Sequence, residues 1–436
     1  MNITKIFTNN KFRSNIITIE MGAETMKQVK VLITILIILF TIYVINPIAE
    51  TSKTVFKDDI VKFEDSSLEK AIRKHIQKPR GDIFKSDVRK IRRLSLHYSK
   101  IKNISGIENL TNLTSLGLGL NKITDISPLS DLTKLSYLNL SNNQITDTSP
   151  LSKLTNLSYL ALCNNLIADI SPLSNLTSLN ELHISRNQIT DMSSLSNLTS
   201  LSSYLSIDNN HITDISPLSN LTNLTGLALF DNKVMDISPL KDLTNLTNLY
   251  LNNNQIADIS PLKNLINLRM LGLKNNKIRD ICPLKDLTKI YELGLNDNKI
   301  IDISPLSNFT NLYYLGLSNN QIADISPLNN FTVYDKLDLS RNQITNISPL
   351  SKLTSVHKLH LDNNHITDIS PLSNLTNLTY LNLFNNQIKD ISPLRNITWL
   401  EELYLKCNPI TDYSATKSYY NNLKGKDFEL RHNKID

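Results

Sequence analysis

The sequence predicts an α/β repeat solenoid: a right-handed superhelix with a parallel β-sheet on its concave side, short 3-10 or helical turns on its convex side, and an α-helical amino-terminal cap. Three observations predict it. Twelve of the 15 prolines, from Pro128 to Pro393, fall at near-constant spacing, the mark of a repeat array. An asparagine recurs at steps of 22 residues, with one step of 23, through Asn121, Asn143, Asn165, Asn187, Asn210, Asn232, Asn254, Asn276, Asn298, Asn320, Asn342, Asn364, Asn386 and Asn408. With 10 Gly and 1 Trp in 436 residues, the chain is poorly supplied for the phosphate loops and tight turns of a large catalytic α/β domain.

The amino end is read as residues 1–30, a cytoplasmic segment or a mis-assigned start with Met21 or Met26 as the true one, followed by 31–49, a signal peptide or signal anchor. Val31–Ile45 carries no charge and follows Lys27 and Lys30, which predicts export with the amino side in the cytoplasm and the array outside. Its length lies between a signal-peptide core and a membrane span, so cleavage after Ala49 and retention through Val31–Ile48 both stay open. Residues 50–90 are read as linker and helical cap. There Ser66-x-x-Glu69 forms a capping box before Leu68, Ala71, Ile72 and Ile76 on one helix face, and Ser86-Asp87 opens a second short helix. A solenoid needs such a cover, because its first apolar layer would otherwise meet water.

Residues 91–412 are read as about fifteen repeats, typified by Leu246-x-x-Leu249-x-Leu251-x-x-Asn254-x-Ile256 and begun by a degenerate copy from Ile91 to Ile101. Alternation in Leu249-Tyr250-Leu251 predicts a short strand with both leucines inward and the tyrosine outward. The Asn stands where the chain leaves that strand, so a buried amide ladder should bond the main-chain groups of the bend, while the neighbouring Asn253 faces out. In Asp258-Ile259-Ser260-Pro261, Ser is read as N-cap before a helix-compatible Pro. The Asp column offers one carboxylate per unit and no Asp-x-Asp pattern, which favours a turn-stabilising role over calcium. The 23-residue step, at Leu201–Leu205, is expected to be a local bulge with register kept on both sides. Residues 413–436 are read as a closing segment with a decayed last strand, Phe428-x-Leu430-x-x-Asn433-x-Ile435.

Together with Asn-Leu-Thr-Asn-Leu, as in 220–224, this motif resembles the 22-residue leucine-rich repeat of bacterial internalin-type surface proteins, over about residues 60–412. The resemblance implies a leucine-rich repeat horseshoe, a helical cap and a concave partner-binding face. The chain departs from that family in having no immunoglobulin-like domain after the repeats and no Leu-Pro-x-Thr-Gly signal before Asp436, so sortase anchoring is not expected.

Charge and chemistry narrow the function. The net +6 arises upstream: residues 1–100 hold 19 Lys/Arg against 10 Asp/Glu, and the remainder holds 27 against 30. A near-neutral array is unsuited to displacing counterions from nucleic acid. Cys163, Cys282 and Cys407 show no pairing or zinc spacing, and no nucleophile, P-loop or metalloprotease motif occurs. His183 and His360 lie eight repeats apart, roughly 40 Å at about 5 Å per strand, too far to share a metal. The expectation is a non-enzyme without cofactor or metal, monomeric in its array, and without nucleic-acid partners.

Only the outward strand positions vary freely. They hold Tyr137, Tyr159, His183, Tyr204, Phe230, Tyr250, Tyr314, Lys336, Lys358, His360, Tyr380, Phe384 and Tyr404, a set rich in tyrosine. Exposed aromatics on a rigid sheet are an interface signature, so this face is expected to bind a protein, or a glycan. The alternative is a structural or regulatory scaffold, in the envelope or as a phosphatase-regulator-like protein.

Overall fold

The computed structural model describes residues 23–40, 58–310 and 312–430, which belong to two compact units, Met1–Asp59 and Ile60–Asp436. In the first unit a helix, α1 (Ala23–Phe40), takes in the first part of the apolar stretch. The rest of that stretch, with the Ala49 cleavage position, lies outside the described residues. No helix of the described residues is long and apolar enough to cross a membrane.

In the second unit α2 (Ser66–Ile76) and α3 (Lys85–Val88) precede sixteen described strands, numbered in chain order from β1 (Arg93–Ser95) to β16 (Gly425–Lys426). They form one sheet in sequence order, and each pairs in parallel with the next one repeat away, as Leu249 with Leu271. Leu249 and Leu251 are fully buried while Tyr250 between them is half-exposed, as period 2 requires. Stacked units thus share one continuous core from Val61 to Phe428.

The asparagines hold the bend after each strand. Asn254 Nδ2 donates to the carbonyls of Leu229 (3.0 Å), Leu251 (3.1 Å) and Asn252 (3.3 Å), and its Oδ1 accepts from the Val234 N–H at 3.0 Å. One side chain therefore satisfies main-chain groups of two successive units. Asn253 is not merely outward: its φ is 56°, and its Nδ2 donates to Asp231 Oδ1 at 2.6 Å. That bend position is left-handed in every unit from Leu120 to Cys407, which accounts for the recurring Asn-Asn pair, since asparagine tolerates this conformation.

The convex turns are 3-10, as in Ser260–Asn264, and their capping differs from the expectation. Ser260 is the first residue of the turn, not its cap, and no cap side chain bonds there. Asp258 does that work: its Oδ1 accepts the Ser260 N–H at 2.8 Å and its Oδ2 the Ser260 hydroxyl at 2.9 Å. A carboxylate two residues ahead outcompetes a hydroxyl as acceptor for an orphan N–H. These bonds hold the carboxyls of Asp169, Asp390 and Asp412 below the ordinary range.

Three further expectations are corrected at the ends. The α2 cap is Asp65, whose Oδ1 accepts from Ser67 and Leu68, while Glu69 pairs with Arg73 at 2.7 Å, so Ser66 heads no capping box. The apolar face is as expected, with Leu68 and Ile72 fully buried. α3 starts one residue before Ser86, and Asp87 reaches back to the Phe84 N–H at 2.9 Å. The last strand is Gly425–Lys426, which sets Glu402 opposite Gly425 and Leu403 opposite Lys426, so Phe428 takes the second inward position two residues off the expected register. Asn433 and Ile435 lie outside the described residues.

The 23-residue step is absorbed before β6 (Tyr204–Ser206). Ser202 and Ser203 N–H both donate to the Asn180 carbonyl, and pairing resumes at Leu182 opposite Leu205. A second irregularity was not foreseen. In β12 (Val333–Asp338) the inward residue opposite Leu312 is Val333, one residue early, and the register shifts between Leu312 and Tyr314. Phe309 and Phe331 fill core positions that are leucine in most units, so local packing differs there.

Candidate functional site

The outward strand residues do not stand singly in solvent. Tyr137 and Tyr159 stack at 4.5 Å with planes 8° apart, His183 lies 5.5 Å beyond Tyr159, and Tyr204 a further 5.8 Å on. This stack ends at Gly226, where an added Cβ would stand 2.2 Å from Tyr204 Cδ2, so the ring lies across the glycine. His183 is held by Glu181 at 2.6 Å. Far along the sheet a second stack joins His360, Tyr380 and Tyr404, with centroids 4.5 and 5.8 Å apart, and Tyr404 reaches over Gly425.

Both stacks are half-buried, and burial is the main cause that pushes the hydroxyls of Tyr159 and Tyr204 up to about 12. Tyr404 reaches about 12 chiefly through its 2.7 Å hydrogen bond to Glu402. These hydroxyls are neutral at physiological pH, and they offer ring surface and hydrogen bonds without charge. Burial also holds His360 below the ordinary imidazole value, against the pull of Asp338.

Between the stacks the face is concave a second time. A recess of about 460 Å³ is lined by Phe230, Tyr250, Met270, Gly272, Glu292, Gly294 and Tyr314, among others. Tyr250 donates to Met270 Sδ at 3.3 Å, and Tyr314 to Asn296 Oδ1 at 3.2 Å. Lys336 places its ammonium 5.8 Å from the Tyr314 ring. Of the expected residues, the structure thus gathers four into the first stack, three into the second and Phe230, Tyr250 and Tyr314 around the recess. Lys358 is exposed, and Phe384 is half-buried and stacks on no ring among the described residues.

Sequence reasoning passed over Met270, Gly272, Gly294 and Asn296. The signal was there, because Leu-Gly-Leu occurs at 271–273, 293–295 and 315–317, three of only 10 glycines in one column of successive units. A strand position without a side chain makes a hollow when its neighbours carry rings.

Neither histidine has a metal-ligand neighbour set, and no group of three His, Cys, Asp or Glu suited to a metal occurs among the described residues. Cys163, Cys282 and Cys407 are free thiols.

The comparisons agree with this architecture. The family model described as leucine-rich repeats in two copies matches residues 89–131, 133–175, 155–197, 203–242, 244–286, 292–330, 335–374 and 376–417. The crystal structure of an internalin (inlF) from Listeria monocytogenes is 36% identical, with 85% of this chain and 96% of that one covered at a TM-score of 0.68. The functional domain of InlJ from the same organism is 26% identical over 79% of this chain and 80% of that one, TM-score 0.67. That InlJ domain includes a cysteine ladder; here the three cysteines stand in three different columns. A leucine-rich repeat protein of Leptospira interrogans, 24% identical over 79% of this chain and 97% of that one with a TM-score of 0.67, shares the fold. No match to curated proteins was found. With the repeat matched along most of its length and an internalin covered almost end to end, the chain belongs to the bacterial internalin-type leucine-rich repeat proteins.

Proposed function

We propose that this chain is an exported, non-enzymatic binding protein that engages a protein on another cell through its concave face. Repeat proteins of this type are protein-binding scaffolds. The observation that carries the reading is the placement of the rings: two aromatic stacks flank a recess on one sheet face. Rigid, half-buried tyrosines lose little side-chain freedom on binding, which is why aromatic clusters supply interface hot spots. Export rests on the uncharged Val31–Ile45 behind Lys27 and Lys30.

The test is capture of surface proteins from target cells by the full chain. Changing Tyr137, Tyr159, Tyr380 and Tyr404 to Ala together is expected to weaken capture at least about tenfold. The convex pair Lys241→Ala and Lys263→Ala should leave it intact. Each lost ring pair costs about 0.5–1.5 kcal/mol of stability, so melting curves must show the variant folded. Capture that survives the concave change and vanishes with the convex pair would place the binding face on the other side. A reporter active only outside the cytoplasm, fused after residue 60, checks export, and activity confined to the cytoplasm removes that part of the reading.

A further inference from the structure

The recess between the stacks has a floor, walls and an unbalanced charge. Its floor is Gly294, where an added Cβ would meet nothing nearer than Tyr314 Cε1 at 4.0 Å. The glycines on either side are covered: a Cβ on Gly272 would stand 2.7 Å from Asn252 Nδ2, and one on Gly316 would collide with Asn296 Oδ1 at 1.9 Å. The hollow is therefore one side chain wide at the floor, with Tyr250 and Tyr314 as its ring-bearing walls.

Two carboxylates line it, Asp231 and Glu292. Glu292 has no cationic partner among the described residues. The lining's one cation, Lys274, is directed to Asp297 at 3.6 Å. The Tyr314 ring already accepts an ammonium group, that of Lys336 at 5.8 Å.

We propose that this recess is a subsite for a cationic side chain, arginine or lysine, presented by the protein partner of the concave face. The proposal rests on the concave-face reading and names what its centre selects. A guanidinium or ammonium group in the hollow meets the Glu292 carboxylate and the tyrosine faces together, and both attractions strengthen as water leaves. An apolar side chain would bury the Glu292 carboxylate with no partner, and an anionic one would face two like charges. The hollow thus discriminates by charge at the middle of the face, where interface energy concentrates.

The probe is N-acetyl-arginine methylamide, with N-acetyl-citrulline methylamide as its neutral counterpart of the same shape. The full chain carries only 6 methionines, so 13C-methyl labelling gives a resolved Met270 signal, assigned by Met270→Leu. The arginine probe is expected to shift that signal saturably, and the citrulline probe to bind about tenfold more weakly. Gly294→Phe fills the hollow and should abolish the shift, Glu292→Gln should erase the arginine preference, and the convex Lys241→Ala should change neither. Should Gly294→Phe not fold, Gly294→Ser and Glu292→Gln give the same reading.

Equal binding of the two probes, an unchanged preference in Glu292→Gln, or no saturable shift overturns the subsite. If the subsite fails while the four-tyrosine variant still loses capture, the concave-face reading stands without it. If that variant keeps capture and the convex pair loses it, the concave-face reading falls, and the recess loses its role as a partner subsite with it.

Discussion

Asn254 and Asn253 are adjacent, both amides, and structurally unlike. Replacing Asn254 by Ala leaves the Val234 N–H without its partner and takes one donor from the Leu229 and Leu251 carbonyls, while the Asn252 carbonyl keeps the Asp231 N–H, and is expected to cost about 1–3 kcal/mol. The period displayed this column in the sequence, because a buried polar residue repeated at a strand exit has main-chain groups to answer. Asn253 was legible only as outward, since nothing in spacing reveals a left-handed φ. With φ at 56° and a bond to Asp231, Asn253→Ala is expected to cost about 1 kcal/mol through strain, whereas Asn253→Gly, which loses the bond but not the conformation, should cost less. Denaturant midpoints for the three variants check the order. Equal loss for Asn253→Ala and Asn253→Gly would show that the backbone conformation does not matter there.

At the scale of the element, the Ser-Pro turn was visible but its cap was not, because Ser before Pro matches the general N-cap signature as well as Asp two residues earlier does. The unit preceding the 23-residue step tests what the proline contributes. It carries Ser194 where its neighbours carry Pro, in a 3-10 turn over Ser193–Leu195 with the same phase. The Ser194 hydroxyl is a buried polar atom without a hydrogen-bond partner. Ser194→Pro removes that orphan and restricts the unfolded chain at a position whose equivalents accept proline, so it is expected to stabilise the protein by about 0.4–1 kcal/mol. A lowered midpoint would mean that the serine backbone departs from its neighbours' path. The β12 slip shows the limit of such reasoning from the pattern: Val333 and the next leucine are separated by one residue too many, and a template with fixed spacing assigns the wrong inward residue.

For the whole molecule, the ends decide what the periodic middle cannot, and both ends are closed by an aspartate that accepts main-chain N–H groups. At the carboxyl end Asp427 accepts from Leu405 and Lys406, a role that sequence alone hid because no leucine marks its strand. At the amino end Asp65 caps α2 through one oxygen and, through the other, accepts from Lys102 at 2.8 Å and Asn103 at 3.3 Å, tying the cap to the first repeat. Burial opposes its ionised form, but those four bonds outweigh it and hold the Asp65 carboxyl below its ordinary 3.8. A depressed folded value means that the stabilisation is present above about pH 3.8 and is lost as pH falls through the lower folded value. Because each repeat contacts only its neighbours, the loss should stay local. Asp65→Ala at neutral pH is therefore expected to speed hydrogen exchange in the cap and first repeats. The melt reported by Trp399, the chain's one tryptophan at the far end and 74% exposed, should move little. In acid, the wild type should approach the variant's exchange pattern as pH drops below about 4, the two converging once Asp65 is protonated. A uniform loss of protection along the array would show instead that the solenoid unfolds as one unit and that its amino-terminal lock has no separate existence.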